Sequence, residues 1–285
     1  MLSLVLSDEE DGPSTLPGPD SPGVNVWRSP DGEPVAFSST TGDRRSLHWP
    51  GVATFHFDKG RDFVTAVPCK PVRADLIQET FRHSVLPLAL QASGLEAIHA
   101  SAVLTPLGVV GFCGRAETGK STLAYAVSQR GYPAWSDDAV VFEIEGAQPR
   151  SLPLPFEFRL RSPSAEFFGA PARLKSGTDR DAGQRAPIAA LCVLTREPAT
   201  SAGPGFTISR LTGREALTAV LDHALCFEWH DTARKRELLI NYLSLVAAIR
   251  VFDVRVQPSL ERLSHVVDAV VERVIAQAQP RKAIA

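Results

Sequence analysis

The chain has 285 residues, 44% of them apolar and 22% charged, and a formal net charge of −2. That length supports one large domain or two modest ones, and the near-neutral balance gives no electrostatic case for nucleic acid or an acidic membrane surface. No run approaches the roughly 20 apolar residues of a membrane span. The short apolar start, residues 1–7, meets Asp8, Glu9, Glu10 and Asp11 without a basic leader, unlike a signal peptide. Four scattered cysteines without a CxxC pair suit a reducing compartment. A cytoplasmic protein is the expectation.

Residues 8–23 are acidic and rich in Pro, Gly and Ser, and they bury too little apolar surface to offset ordering. The first 23 residues therefore read as a flexible tail. From 24 to 95, β-prone stretches at 24–27, 52–57 and 63–67 alternate with turn signals such as Pro30-Asp31-Gly32 and Asp58-Lys59-Gly60. A helical pattern over 72–91 follows, interrupted at Pro87. This region reads as a small β-rich unit with one helix.

Residues 96–285 read as an α/β domain. Strands are expected at 98–103, 107–113 and 139–144, with a helix over 118–130 that stops at Gly131. Later strands are expected at 156–160, 188–194, 206–211 and 251–256, and helices at 212–227, 232–249 and 259–278. In the last helix, Leu260, Leu263, Val267, Val270, Val271 and Val274 recur at helical spacing, a core-packing stripe.

The segment Gly114-Arg115-Ala116-Glu117-Thr118-Gly119-Lys120-Ser121 fits the phosphate-loop pattern G-x-x-x-x-G-K-[ST]. Gly114 and Gly119 let the backbone curl so that successive N–H groups converge on phosphates, and the following helix adds the partial positive charge of its N-terminus. Lys120 is placed for the β- and γ-phosphates and Ser121 for Mg²⁺. The whole run from Gly114 to Thr122 is the expected nucleotide-binding set, with ATP and Mg²⁺ as cofactors. Glu117 puts a carboxylate into a loop built for anions, and an outward-pointing side chain is one way to accommodate it.

Phosphoryl transfer needs carboxylates near the γ-phosphate, one to hold metal and one to accept a proton. Asp137 and Asp138 offer both jobs, although an Asp pair is also common in turns. His99–Val103, the phosphate loop, and Arg130-Gly131 followed by Ser136-Asp137-Asp138 resemble the catalytic core of the HPr kinase/phosphorylase family. His99 lies 21 residues before Lys120 and Asp137 lies 17 after it, as in that family. The resemblance covers about residues 96–145. It implies a P-loop kinase core of the HPr kinase/phosphoenolpyruvate carboxykinase-like type, oligomerisation, and these roles: Asp137 as general base, Asp138 as a metal-supporting group beside Ser121, and His99 pairing with the carboxylate or the phosphates. The family usually carries Ser-Gly where this chain has Ala116-Glu117. The basic segment 173–185, and Arg159 and Arg161, are candidates for phosphate or substrate contacts, or else solvated loop and strand residues. His223 and His230 read as structural or surface residues.

The leading expectation is thus a Mg-ATP-dependent kinase acting on a Ser or Thr hydroxyl of a peptide or small protein. An ATPase-type switch, a nucleotide-responsive binding module and a small-molecule kinase stand as alternatives.

Overall fold

The computed structural model describes residues 2–7, 18–21, 24–29, 31–69, 71–175, 184–198, 205–227 and 231–277. Most of the tail assigned to 8–23, His230, and most of the basic segment 173–185 lie outside the described residues. The chain divides into two units, Met1–Leu95 with Cys226–Leu238, and Glu96–Leu225 with Leu239–Ala285.

The first unit is built on a six-stranded sheet. Its strands are β1 (Ser3–Leu6), β2 (Asn25–Arg28), β3 (Pro34–Thr41), β4 (Arg44–Trp49), β5 (Ala53–Asp58) and β6 (Phe63–Pro68). β2 to β6 form an antiparallel meander, and β1 adds itself in parallel to the far edge, against β6. Ser3–Leu6, assigned to the tail by composition, thus form a strand: Leu4-Val5-Leu6 is β-prone once an open edge is offered. β3 and β4 have no counterpart among the expected strands. Their buried positions carry the small or polar Ala36, Ser38 and Ser46 beside a single large apolar side chain, Leu47, so the alternation is faint. Pairing with neighbours supplies what hydrophobicity does not. The Ser46 hydroxyl meets His56 Nδ1 at 2.8 Å, and His48 Nδ1 meets the Thr54 hydroxyl at 2.9 Å, both directly across β4 and β5.

The expected helix over 72–91 is present as α1 (Ala74–Thr80), a π-helical turn at Phe81–Val85, and α2 (Leu86–Gln91). Pro87 does not interrupt it. It falls in the first turn of α2, and the π-turn directly before it accommodates the missing N–H and the change of phase. The segment from Cys226 joins this unit through Phe227. Its N–H donates to Gln91 Oε1 (2.9 Å), its carbonyl accepts from Asn25 Nδ2 (2.7 Å), and its ring packs edge-on against Phe57 at 5.2 Å.

The second unit holds a ten-stranded sheet with helices, a mixed α/β architecture as expected. In chain order come β7 (Glu96–Ile98), β8 (Ala100–Thr105), β9 (Gly108–Cys113), α3 (Lys120–Ser128), β10 (Ala134–Ser136), β11 (Val140–Glu145), β12 (Gln148–Leu152), β13 (Glu157–Arg159), α4 (Ser162–Phe168), β14 (Arg173–Lys175), β15 (Ala186–Arg196), β16 (Phe206–Leu211), α5 (Gly213–Leu221), β17 (Ala224–Leu225), α6 (Thr232–Ala248, counted with this unit from Leu239 on), β18 (Arg250–Val256) and α7 (Leu263–Val270). β13 and β14 form a separate two-stranded pair. The centre is β15, flanked in parallel by β9 and β18, with antiparallel β8 and β10 beyond β9 and β16 beyond β18. β9 is buried along its whole length, as expected of a central parallel strand covered on both faces.

Two expected helices are shorter than their patterns. The one over 212–227 ends at Leu221 because the chain turns into β17, which pairs with β7. The last runs from Leu263 to Val270 and continues as a π-turn through Ile275, keeping Val266, Val267, Val270 and Val274 in the core with Phe112, Leu123 and Val127. All four cysteines are free, Cys113 and Cys192 buried on β9 and β15. No described helix is long and apolar enough to cross a membrane.

The turn between β8 and β9 presses on β15. A Cβ at Gly108 would stand 2.3 Å from the Pro187 carbonyl oxygen, and the residue has φ +123°. Backbone cannot swing away as a side chain can, so Gly108→Ala is expected to cost about 2 kcal/mol or more. Thermal unfolding should show a Tm lower by several degrees, roughly 4–8 °C. An unchanged Tm would mean that this turn is not as tightly seated as described.

Candidate functional site

The loop from β9 into α3 is shaped by residues with positive φ: Gly114 at 156°, Glu117 at 70° and Gly119 at 100°. At Gly114 a Cβ would lie 2.6 Å from Thr118 Oγ1 and 3.0 Å from the Leu194 carbonyl, so the curl leaves room for nothing larger than hydrogen. Inside the curl, the Arg115 carbonyl accepts from the Thr118 N–H (3.3 Å), the Thr118 hydroxyl (2.9 Å) and Lys120 Nζ (3.1 Å). Gly119 caps α3 and offers no side chain to its free N–H groups. The first N–H groups of that helix, at Lys120, Ser121 and Thr122, therefore have no intrahelical partner.

Lys120 is 7% exposed. Burial lowers the ammonium's pKa, and the carboxylates of Asp138 and then Asp137 act against that fall. The loop thus surrounds a buried cation with converging backbone donors, a complement for an anion bearing several oxygens. Glu117 does not spoil it. Its carboxylate takes a 2.5 Å ion pair from exposed Arg161, which holds its pKa below the usual carboxylate range. Thr122 turns its hydroxyl to Ser164 of α4 (3.0 Å), so only its backbone remains available at the loop. Arg115 and Ala116 are exposed at the loop's tip.

Asp137 sits just past β10 and is 4% exposed. Its Oδ1 accepts from both Ser101 Oγ (2.5 Å) and Ser121 Oγ (2.9 Å), while Oδ2 accepts from the Arg159 N–H (3.3 Å). One carboxylate thereby ties the end of β10 to β8, to the first turn of α3 and to β13. Burial and the neighbouring Asp138 raise its pKa above the ordinary aspartate value, and the two serine hydroxyls oppose the rise. Asp138 is half-buried and held at φ 65°, a left-handed conformation that Asp tolerates better than most residues. That turn points the two adjacent carboxylates to different neighbours. Asp137 faces the serines, whereas Asp138 acts on Lys120 and His99.

His99 occupies the break between β7 and β8. Burial, followed by Lys120, pushes its pKa down to about 4, partly offset by the Asp138 carboxylate and a hydrogen bond to the Asp138 backbone. The imidazole is neutral at physiological pH. Its backbone N–H donates to the His223 carbonyl at 2.8 Å, and the His223 ring, also lowered by burial, feels Asp222, Lys120 and Arg115.

The expected residues Gly114–Thr122, His99, Asp137 and Asp138 are therefore gathered around one loop, with Asp137 and Asp138 on its β8/β10 side. Ser101 and His223 belong to the same cluster and were not anticipated. Ser101 had a weak signal, lying two residues after His99 within the expected strand 98–103. His223 had none, because a loop after α5 brings it there. Among the described residues no group of three or more His, Cys, Asp or Glu side chains can hold a metal by itself.

No family model and no curated protein matches the chain. A solved structure titled as the HPr(Ser) kinase/phosphatase from Coxiella burnetii is similar over 62% of this chain and 88% of its own, at 14% identity and a TM-score of 0.33. A likeness at that level carries no functional argument.

A carboxyl group with a raised folded-state pKa adds stability below its unfolded value and loses that contribution as pH rises through the folded one. The wild type should therefore lose stability relative to Asp137→Asn as pH climbs from 3.8, the ordinary aspartate value, towards neutrality. Paired melting curves from pH 4 to 8 check this. A Tm difference independent of pH would show that Asp137 titrates normally.

Proposed function

We propose that this chain is a Mg-ATP-dependent phosphotransferase that moves the γ-phosphate to the hydroxyl of a Ser or Thr in a peptide or small protein. The observation that carries the reading is the hydrogen bond from Ser121 Oγ to buried Asp137 at 2.9 Å, at the mouth of a loop that also presents buried Lys120. With its proton committed to Asp137, the Ser121 hydroxyl has lone pairs free for a hard cation. The tight curl that only glycine allows at Gly114, the free N–H groups starting α3 and the Lys120 ammonium fit a polyphosphate. The sparse carboxylate set fits Mg²⁺, which takes one or two protein oxygens and completes its shell with phosphate and water. When bound, Mg²⁺ supplies charge neutralisation on the transferring group.

The chain's own residues then divide the remaining work. Loop N–H groups and Lys120 bind and orient the phosphates. Ser121, held by Asp137 and Ser101, presents the cation ligand. Asp137 was expected as the base and Asp138 as the metal-side group, but the placement of the side chains supports the opposite division. Both Asp137 oxygens are engaged and shielded from an incoming hydroxyl, whereas half-buried Asp138 faces Lys120 and His99. Asp138 accepts the acceptor's proton as its oxygen forms a bond to phosphorus and the bridging bond to ADP breaks. Neutral His99, hydrogen-bonded to the Asp138 backbone, keeps that turn in place.

Two variants separate the roles. Asp138→Asn is expected to bind Mn²⁺-ATP within about twofold of wild type while transfer falls at least ~100-fold. Asp137→Asn should weaken Mn²⁺ binding in the presence of ATP by about tenfold or more. Calorimetry and electron paramagnetic resonance report binding, and mass spectrometry of candidate peptides reports transfer. Normal transfer by Asp138→Asn would return the base to Asp137, and a wild-type protein that takes up no ATP with Mg²⁺ would end the proposal.

A further inference from the structure

A second feature of the same unit lies on the opposite side of β9 from the aspartates. The sheet order places β8 and β10, with Ser101 and the segment leading to Asp137, on one flank of β9, and β15 and β18 on the other. On that second flank, at the carboxyl ends of parallel β9 and β15, an open cleft of about 1030 Å³ runs from the loop tip to α5. Ligands of open α/β sheets lie outside the carboxyl ends of the strands, and this volume stands at the upper end of the ~300–1,000 Å³ typical of small-ligand sites.

The lining has a definite chemistry. Val193 and Leu194 at the end of β15, Leu211 at the end of β16 and Ala219 on α5 give it an apolar surface. Around this stand Arg196 and Arg214, neither of which forms an ion pair with a described residue. Thr195 and Thr218 bring hydroxyls, and Glu215 and Asp222 bring carboxylates, with His223 at the end nearer His99. Asp253, also in the wall, is engaged by Arg255 Nε at 2.7 Å.

A bare polyphosphate has no use for the apolar patch. A hydroxyl-bearing acceptor has to reach the aspartate side, on the other flank. What suits the cleft is a molecule with a flat apolar ring for the Val193–Leu194 surface and for a guanidinium to stack on. It would also carry hydroxyl or amino donors for the carboxylates. A polyphosphate lying across the loop has two ends. The end that reacts faces Ser121 and Asp138, so the other leaves towards β15, directly into this cleft.

We infer that the cleft bounded by Val193–Arg196, Arg214 and Thr218–His223 binds the base and ribose of a nucleotide whose phosphates occupy the glycine-turned loop. This rests on the phosphate-binding reading of the loop proposed above. It assigns the α5 face to nucleoside recognition and leaves the His99–Asp138 side to the acceptor.

The test compares ATP with inorganic tripolyphosphate, each with Mg²⁺, by isothermal titration calorimetry on the full chain. Wild type should bind ATP about tenfold or more tighter than tripolyphosphate. Thr218→Trp puts an indole into the cleft from an exposed helical position, so folding is preserved and a melting curve verifies it. This variant should weaken ATP about tenfold or more while tripolyphosphate stays within about twofold. Arg196→Ala should weaken ATP less, by about three- to fivefold, again without touching tripolyphosphate. Equal wild-type affinity for the two ligands would overturn the inference alone, as would a Thr218→Trp variant that loses both in parallel or loses neither. Failure of wild type to bind either ligand would instead overturn the phosphate-loop reading, and this inference with it.

Discussion

The site depends on a single buried carboxylate. Asp137 accepts hydrogen bonds from Ser101, Ser121 and the Arg159 backbone, and so joins four separate elements of the second unit at one point. Burying a carboxylate is costly unless donors surround it, and here two hydroxyls and an N–H meet that requirement. In return, Ser121 is held at the start of α3 with a defined hydroxyl direction. Weaken that anchor and both the glycine-turned loop and the return strand β10 lose their common reference.

Around that anchor the electrostatics are arranged by exclusion of water rather than by many charges. Lys120 is buried among Asp137, Asp138 and Cys113, and burial lowers its pKa while the two carboxylates counter it. His99 is kept neutral by burial and by the same lysine. The left-handed conformation of Asp138 is the geometric device that lets neighbouring aspartates serve different partners. In an extended strand they would point to opposite faces of the sheet, and only one could reach the loop.

Much of this was legible beforehand. The glycine and lysine spacing of the loop, the helix after it and the strand before it were all readable, because each follows from local chemistry: φ limits, hydrophobic periodicity and helix capping. Glu117 could be seen as anomalous, but not that Arg161, 44 residues away, engages it. β3 and β4 are hard to read from sequence because most of their buried positions are small or polar, Ala36, Ser38 and Ser46 beside a single Leu47, and the two serines find cross-strand hydrogen-bond partners. Pro87 signals a break in the sequence because a proline's local effect is visible there, whereas the π-turn that accommodates it is not.

What the amino-acid order determined by itself is the existence and composition of the anion-binding loop, since a backbone that must curl around phosphates needs glycine at set intervals and a cation beside it. Only the tertiary structure decided which aspartate holds Ser121, that Ser101 and His223 join the cluster, and that a cleft opens on the β15 side. Those outcomes depend on which strands become neighbours and which way a turn faces, and such relations between distant segments leave no imprint on local sequence pattern.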